Sequence, residues 1–298
     1  MMDYTLKVRS LVAINVLLAV AIALGVLFSP ARTSARSLRA TLLDSGAQAT
    51  VLKIRTGGQA LELYKSGDAW FLNDGGTALP ADSTRVAAFL STVGEVDQLG
   101  QVASSRSAWA SLGLEGEGAI GFTVKDSTGL VLADIIVGDY TPSSQAVYVA
   151  RAGSDDAWSA PVTFASYLKG SRASWLDRRL FPSSPAPQDV QEAIARGILE
   201  LDSGERLNID YRLIRNGAGW STSGTGLDSL RVDSMIRSVL GLRGDEYAEN
   251  GTAPAATALR VELRLGDGRS IVLELAPRSA DGSYLVVSSE RDRPLYLP

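Results

Sequence analysis

The sequence predicts an α+β protein: an N-terminal transmembrane helix followed by two repeated β-β-α-β-β-β units with mainly antiparallel sheets. Three observations predict it: the apolar run Leu11 to Phe28, a series of strand, turn and helix signals that occurs twice, and hairpin-like alternation after each helix. Hairpin-joined strands give antiparallel sheet, and one amphipathic helix per unit covers only part of such a sheet, which points to α+β.

The first element is LVAINVLLAVAIALGVLF, with no charge and a single polar side chain, Asn15. At about 1.5 Å per residue it spans roughly 27 Å, enough for a bilayer core. Residues 1–10 are then expected to be cytoplasmic, 11–28 to be the membrane anchor, and 29–46 to be a stalk whose Arg32, Arg36 and Arg39 can reach anionic headgroups at about 1 kcal/mol each. The competing interpretation is a cleaved signal peptide, with Lys7 and Arg9 as its basic start and Thr33-Ser34-Ala35 as the cleavage site. The run exceeds the usual length of a signal core, so a retained anchor is expected, with the C-terminal domains outside the cytoplasmic membrane.

A first unit is expected over 47–181 and a second over 189–298, joined by the proline-rich linker 182–188. LELYKSGDAWFL (Leu61 to Leu72) reappears as YRLIRNGAGWST (Tyr211 to Thr222), each with an alternating strand, a glycine turn and a tryptophan. A helix follows both times, opened by Asp82-Ser83-Thr84-Arg85-Val86 or Asp228-Ser229-Leu230-Arg231-Val232, where the aspartate is placed to cap free N–H groups. Val86, Phe89, Leu90 and Val93 form one apolar stripe, and Val232, Met235, Ile236 and Val239 form the other. Phe122 to Gly138 and Val261 to Pro277 then predict a hairpin in each unit. One or two short helices are expected within Pro161 to Phe181.

Composition narrows the chemistry. The chain has 298 residues and a net charge of −4, without the basic footprint of a nucleic-acid binder. It contains no cysteine, so there is neither a disulfide nor a lipid-bearing thiol, and no histidine, which excludes a Ser-His-Asp triad and imidazole metal sites. No cofactor, metal or catalytic residue is expected. Ser166 and Lys169 have S-x-x-K spacing, but the accompanying S-D-N and K-T-G elements are missing. Gly116-x-Gly118-x-x-Gly121 matches a dinucleotide fingerprint letter for letter, but its flanking elements are reversed: it follows a short helical stretch and leads into a strand, so a turn is expected. Asp155-Asp156 and Asp245-Glu246 are expected to be solvated turns. Of the five tryptophans, Trp70 and Trp220 hold equivalent places and predict core; Trp109 and Trp175 have no counterpart and are the candidates for a partner surface.

GDAW (Gly67 to Trp70), LPADSTRVAAFLSTV (Leu79 to Val93), LGL (Leu112 to Leu114), IIVGD (Ile135 to Asp139), AVYVAR (Ala146 to Arg151) and SRASWLDRRLF (Ser171 to Phe181) occur in an order and spacing that resemble the family catalogued as domain of unknown function 4340. The resemblance implies a single-span accessory protein associated with ABC transporters of the gliding-motility type. Transporter permease and ATPase subunits are then the expected partners, and no catalytic residues carry over. The second unit departs from the pattern, lacking LGL and having Pro277 where the first has Gly138. The expected function is a non-enzymatic, membrane-anchored interaction protein; a free-standing envelope carbohydrate or peptide binder and a serine-lysine hydrolase are the alternatives.

Overall fold

A computed structural model describes residues 37–38, 41–44, 48–56, 59–116, 119–201, 203–217, 219–249 and 252–298. The expected anchor, Leu11 to Phe28, and most of the stalk lie outside them. Among the described residues no helix is long and apolar enough to cross a membrane. The chain divides into two units, one drawn from residues up to Ala78 together with Thr84–Gly170, the other from Leu79–Ser83 together with Ser171–Pro298.

Unit 1 is built on one sheet. Its strands are β1 (Ser37–Leu38), β2 (Val51–Thr56), β3 (Gln59–Ser66), β4 (Ala69–Asp74), β5 (Thr77–Pro80), β6 (Leu99–Ala103), β7 (Ile120–Lys125), β8 (Val131–Tyr140), β9 (Ala146–Arg151) and β10 (Ala157–Pro161). They lie in the order β1-β6-β10-β9-β8-β7-β2-β3-β4-β5. The central pairs are antiparallel, with Ile54 opposite both Leu61 and Phe122. Strand alternation sends Leu52, Ile54, Leu63, Phe122 and Val124 into the core. Helix α1 (Ser83–Gly94) buries Val86, Phe89 and Val93 there. A 3-10 turn (Val162–Phe164) and α2 (Ala165–Leu168) complete the cover. The Phe89 ring meets Phe122 edge-on at 5.3 Å and Tyr167 at 5.9 Å, and Phe122 meets Phe164 at 6.1 Å.

Unit 2 has its own sheet, of β11 (Val190–Glu200), β12 (Arg206–Asn216), β13 (Gly219–Thr222), β14 (Thr225–Leu227), β15 (Glu246–Tyr247), β16 (Leu259–Leu265), β17 (Ser270–Leu275), β18 (Tyr284–Ser288) and β19 (Leu295–Leu297). Their order is β14-β13-β12-β11-β16-β17-β18-β19-β15. Read from β15, this is strand for strand the order of unit 1 from β6 onward. Helix α3 (Ser229–Leu240) follows β14 as α1 follows β5, and the Asp228 carboxylate caps it, accepting from the Leu230 and Arg231 N–H groups at 3.1 and 3.3 Å.

Two expectations change. The unit is β-β-β-β-α-β-β-β-β-β rather than β-β-α-β-β-β. The short runs at β5, β6, β14 and β15 carry too few residues for alternation to register, and β11 (VQEAIARGILE) hides its period behind small and charged residues. The α3 stripe is also only half buried: Val232 and Ile236 are covered, whereas Met235 is 42% exposed.

Candidate functional site

Trp109 stands at the edge of an open cleft in unit 1. Two successive 3-10 turns, Arg106–Ala108 and Ala110–Leu112, carry it; the Ser105 hydroxyl caps the first and Gly113, at φ 68°, ends the second. The ring is only 1% exposed, packing with Leu114, Ala150 and Ala157, while its indole N–H donates to the Asp155 carbonyl at 3.1 Å. A buried indole with a satisfied N–H is a structural anchor first.

Beside it lies an open cleft of about 420 Å³, lined by Arg55, Arg106, Trp109, Glu115, Ile120 and Ile136 among others. Its two guanidinium groups are both matched. Arg55 donates to Asp134 at 2.9 Å and to Thr123 at 3.3 Å, and Arg106 donates to Glu115 at 3.0 Å while lying 4.7 Å from the Trp109 ring centre. Guanidinium forks of this kind recognise carboxylates and extended backbone, and the stacked Arg106 is pre-oriented for it. The chemistry on offer is hydrogen bonding and stacking.

Trp175, the other expected partner residue, belongs to unit 2 and is fully buried. Its carbonyl accepts from the Asp82 N–H at 2.9 Å. Two residues on, Asp177 is the centre of a polar cluster: its carboxylate accepts from Arg179 at 2.8 and 3.0 Å and pairs with Arg291 at 2.9 Å. Its carbonyl accepts from the Tyr247 hydroxyl at 2.5 Å, and the Arg291 Nε donates to the Arg179 carbonyl at 2.8 Å. Burial opposes ionisation of Asp177, but the hydrogen bonds from Arg179 and the charge of Arg291 prevail and hold its carboxyl below the usual range. Burial pushes the Tyr247 phenol up to about 12. In the same segment, Leu180 donates to the Leu242 carbonyl and Gly244 to that of Arg178, at 3.0 and 2.8 Å. The run SRASWLDRRLF thus organises unit 2 from within.

The remaining sequence candidates are occupied elsewhere. The Ser166 hydroxyl donates to the Thr163 carbonyl at 3.0 Å, and the Lys169 ammonium sits 3.9 Å from the Tyr140 ring centre. Gly121 belongs to β7, Gly116 lies before it in a turn, and Gly118 falls outside the described residues. Asp156 accepts from Gln101, while Arg178 and Arg172 lie near Asp245 and Glu246. Sequence patterning did not single out Arg55, Arg106 or Tyr211; charged and aromatic residues in strands and turns look alike until the fold places them.

A family model described as domain of unknown function (DUF4340) matches residues 70–261, more than half of the chain. Comparison with curated proteins finds no match.

Proposed function

The chain belongs to the domain of unknown function (DUF4340) family, and on that premise we propose that it is a non-enzymatic, membrane-anchored interaction protein with its two units outside the cytoplasmic membrane, serving as accessory to an ABC transporter. The observation that carries this is apolar exposure in unit 2, where Tyr211 (48% exposed) and Met235 (42%) border one apolar groove and Leu207 (38%) and Leu230 (83%) also stand in solvent. Aromatic residues and methionine are enriched at protein interfaces, and exposed apolar area of this kind marks a partner. The uncharged run Leu11 to Phe28 supports a single membrane span. The shared strand order supports two copies of one module, the first keeping LGL and IIVGD and the second free to take a different contact.

Co-purification after mild detergent extraction tests the proposal: permease and ATPase subunits are expected with the chain, and recovery of the chain alone speaks against it. A second reading, a free-standing envelope peptide or carbohydrate binder, draws on the arginine-lined cleft beside Trp109. A ligand at free concentration L that binds only the native state stabilises it by RT ln(1 + L/Kd), so a ligand-induced rise in melting temperature that disappears in Arg55→Ala favours that reading.

A further inference from the structure

Strand register matches the two cores position by position. Ala193 lies opposite Leu213 and Leu263 as Leu52 lies opposite Leu63 and Val124. Ala195 lies opposite Tyr211 and Val261 as Ile54 lies opposite Leu61 and Phe122. On the helices, the aligned openings DSTRV and DSLRV put Met235 in the place of Phe89 and Arg231 in that of Arg85. Unit 2 therefore has alanine for leucine and isoleucine, valine for phenylalanine and methionine for phenylalanine, offset only in part by Tyr211 for Leu61 and Leu263 for Val124. These large-to-small changes leave an apolar groove of about 80 Å³ between α3 and its sheet, lined by Ala193, Ala195, Tyr211, Met235, Val239 and Val261 among others.

Unit 1 displays what fits there. The segment Val162–Leu168 follows β10 and sets Phe164 against Phe122 and Tyr167 against Phe89, aromatics three residues apart. Arg85 secures it, donating to the Tyr167 carbonyl at 3.4 Å with its guanidinium 5.2 Å from the ring centre. In unit 2 the counterparts of Phe122 and Phe89 border the groove, and Arg231, 89% exposed, pairs only loosely with Asp228 at 3.4 Å. A cation stands where unit 1 receives the carbonyl end and the ring of its own short helix.

We propose that the α3 groove of unit 2 binds a short helical segment of a partner polypeptide that presents two aromatic side chains three residues apart, seated over Val261 and Met235 with its C-terminal carbonyls on Arg231. This deepens the interaction reading by naming the surface and the chemistry of its occupant.

The probe is a fluorescent synthetic peptide with the sequence of Pro161–Gly170, titrated by anisotropy against the full chain in lipid nanodiscs. Saturable binding is expected, more than about tenfold weaker for a peptide lacking both aromatics and for the chain with Ala195→Ile and Val261→Phe, which fill the groove as unit 1 does. An unchanged or higher melting temperature verifies that the filled variant folds, and Arg231→Ala, at an exposed position, supplies an independent weakening. No saturable binding, or binding indifferent to the filled groove and to Arg231→Ala, overturns the inference. Peptide binding without transporter co-purification would refute the accessory role and leave the groove standing.

Discussion

Gly113 packs against Asp139 so closely that a Cβ added to the glycine would lie 2.6 Å from the Asp139 Cγ. Gly113 also has φ 68°, a conformation that side chains oppose, and one position before Asp139 a Cβ on Gly138 would collide with the Leu112 carbonyl oxygen. The LGL turn and the strand IIVGD are therefore one docking element; because Ile135 lies opposite Phe122 as Leu273 lies opposite Val261, register puts Ala276 rather than the expected Pro277 in place of Gly138, and unit 2, without that glycine, has no LGL. Gly113→Ala is expected to cost about 1–3 kcal/mol, from αL strain and the clash together, read as a lower denaturation midpoint.

Removing the carboxylate of Asp177 leaves Arg291, with only 7% of its side chain exposed, without its partner. Asp177→Asn is expected to destabilise by about 3 kcal/mol. Because the folded carboxyl sits below its unfolded value, the stability from ionised Asp177 is present above about pH 3.9 and lost as pH falls from there through the folded value. Acid unfolding of Asp177→Asn should lack that contribution; an identical pH profile would show that the pair is not coupled to folding.

Tyr247 titrates in the opposite direction. Its folded value of about 12 lies above the unfolded value of about 10, so its stabilisation is whole below pH 10 and declines as pH rises toward 12. Alkaline difference spectroscopy should find one of the nine tyrosines ionising late, and Tyr247→Phe should abolish that step while costing about 1 kcal/mol for the lost hydrogen bond.

Trp109→Phe keeps an aromatic ring but loses the donor to the Asp155 carbonyl, at a cost of about 1–2 kcal/mol, whereas Trp109→Ala should cost about 3–5 kcal/mol through the cavity it leaves. Urea denaturation followed by the other tryptophans measures both. Equal costs for the two variants would contradict the packing role.

The helices were the most legible elements. Helix openings and 3.6-residue stripes are local signals, so α1 and α3 stand where DSTRV and DSLRV place them, and Asp228 caps α3 as expected. Trp70 and Trp220, matched across the units, are 6% and 2% exposed, as the correspondence predicts. What the sequence concealed depends on distant partners. Met235 continues an apolar stripe, yet its exposure is decided by the size of Ala195 and Val261 on neighbouring strands. Trp109 and Trp175 lack counterparts because they belong to local elements, the paired 3-10 turns and the Asp177 cluster, and tryptophan composition alone does not separate a buried anchor from an interface hot spot.

Photo-crosslinking in intact cells from a probe placed at Met235, with Leu130, 62% exposed in unit 1, as the control site, asks whether the α3 face of unit 2 meets a transporter. A specific adduct with a transporter subunit is expected from Met235 and none from Leu130. An adduct from Leu130 alone, or no adduct from Met235, would contradict the accessory role.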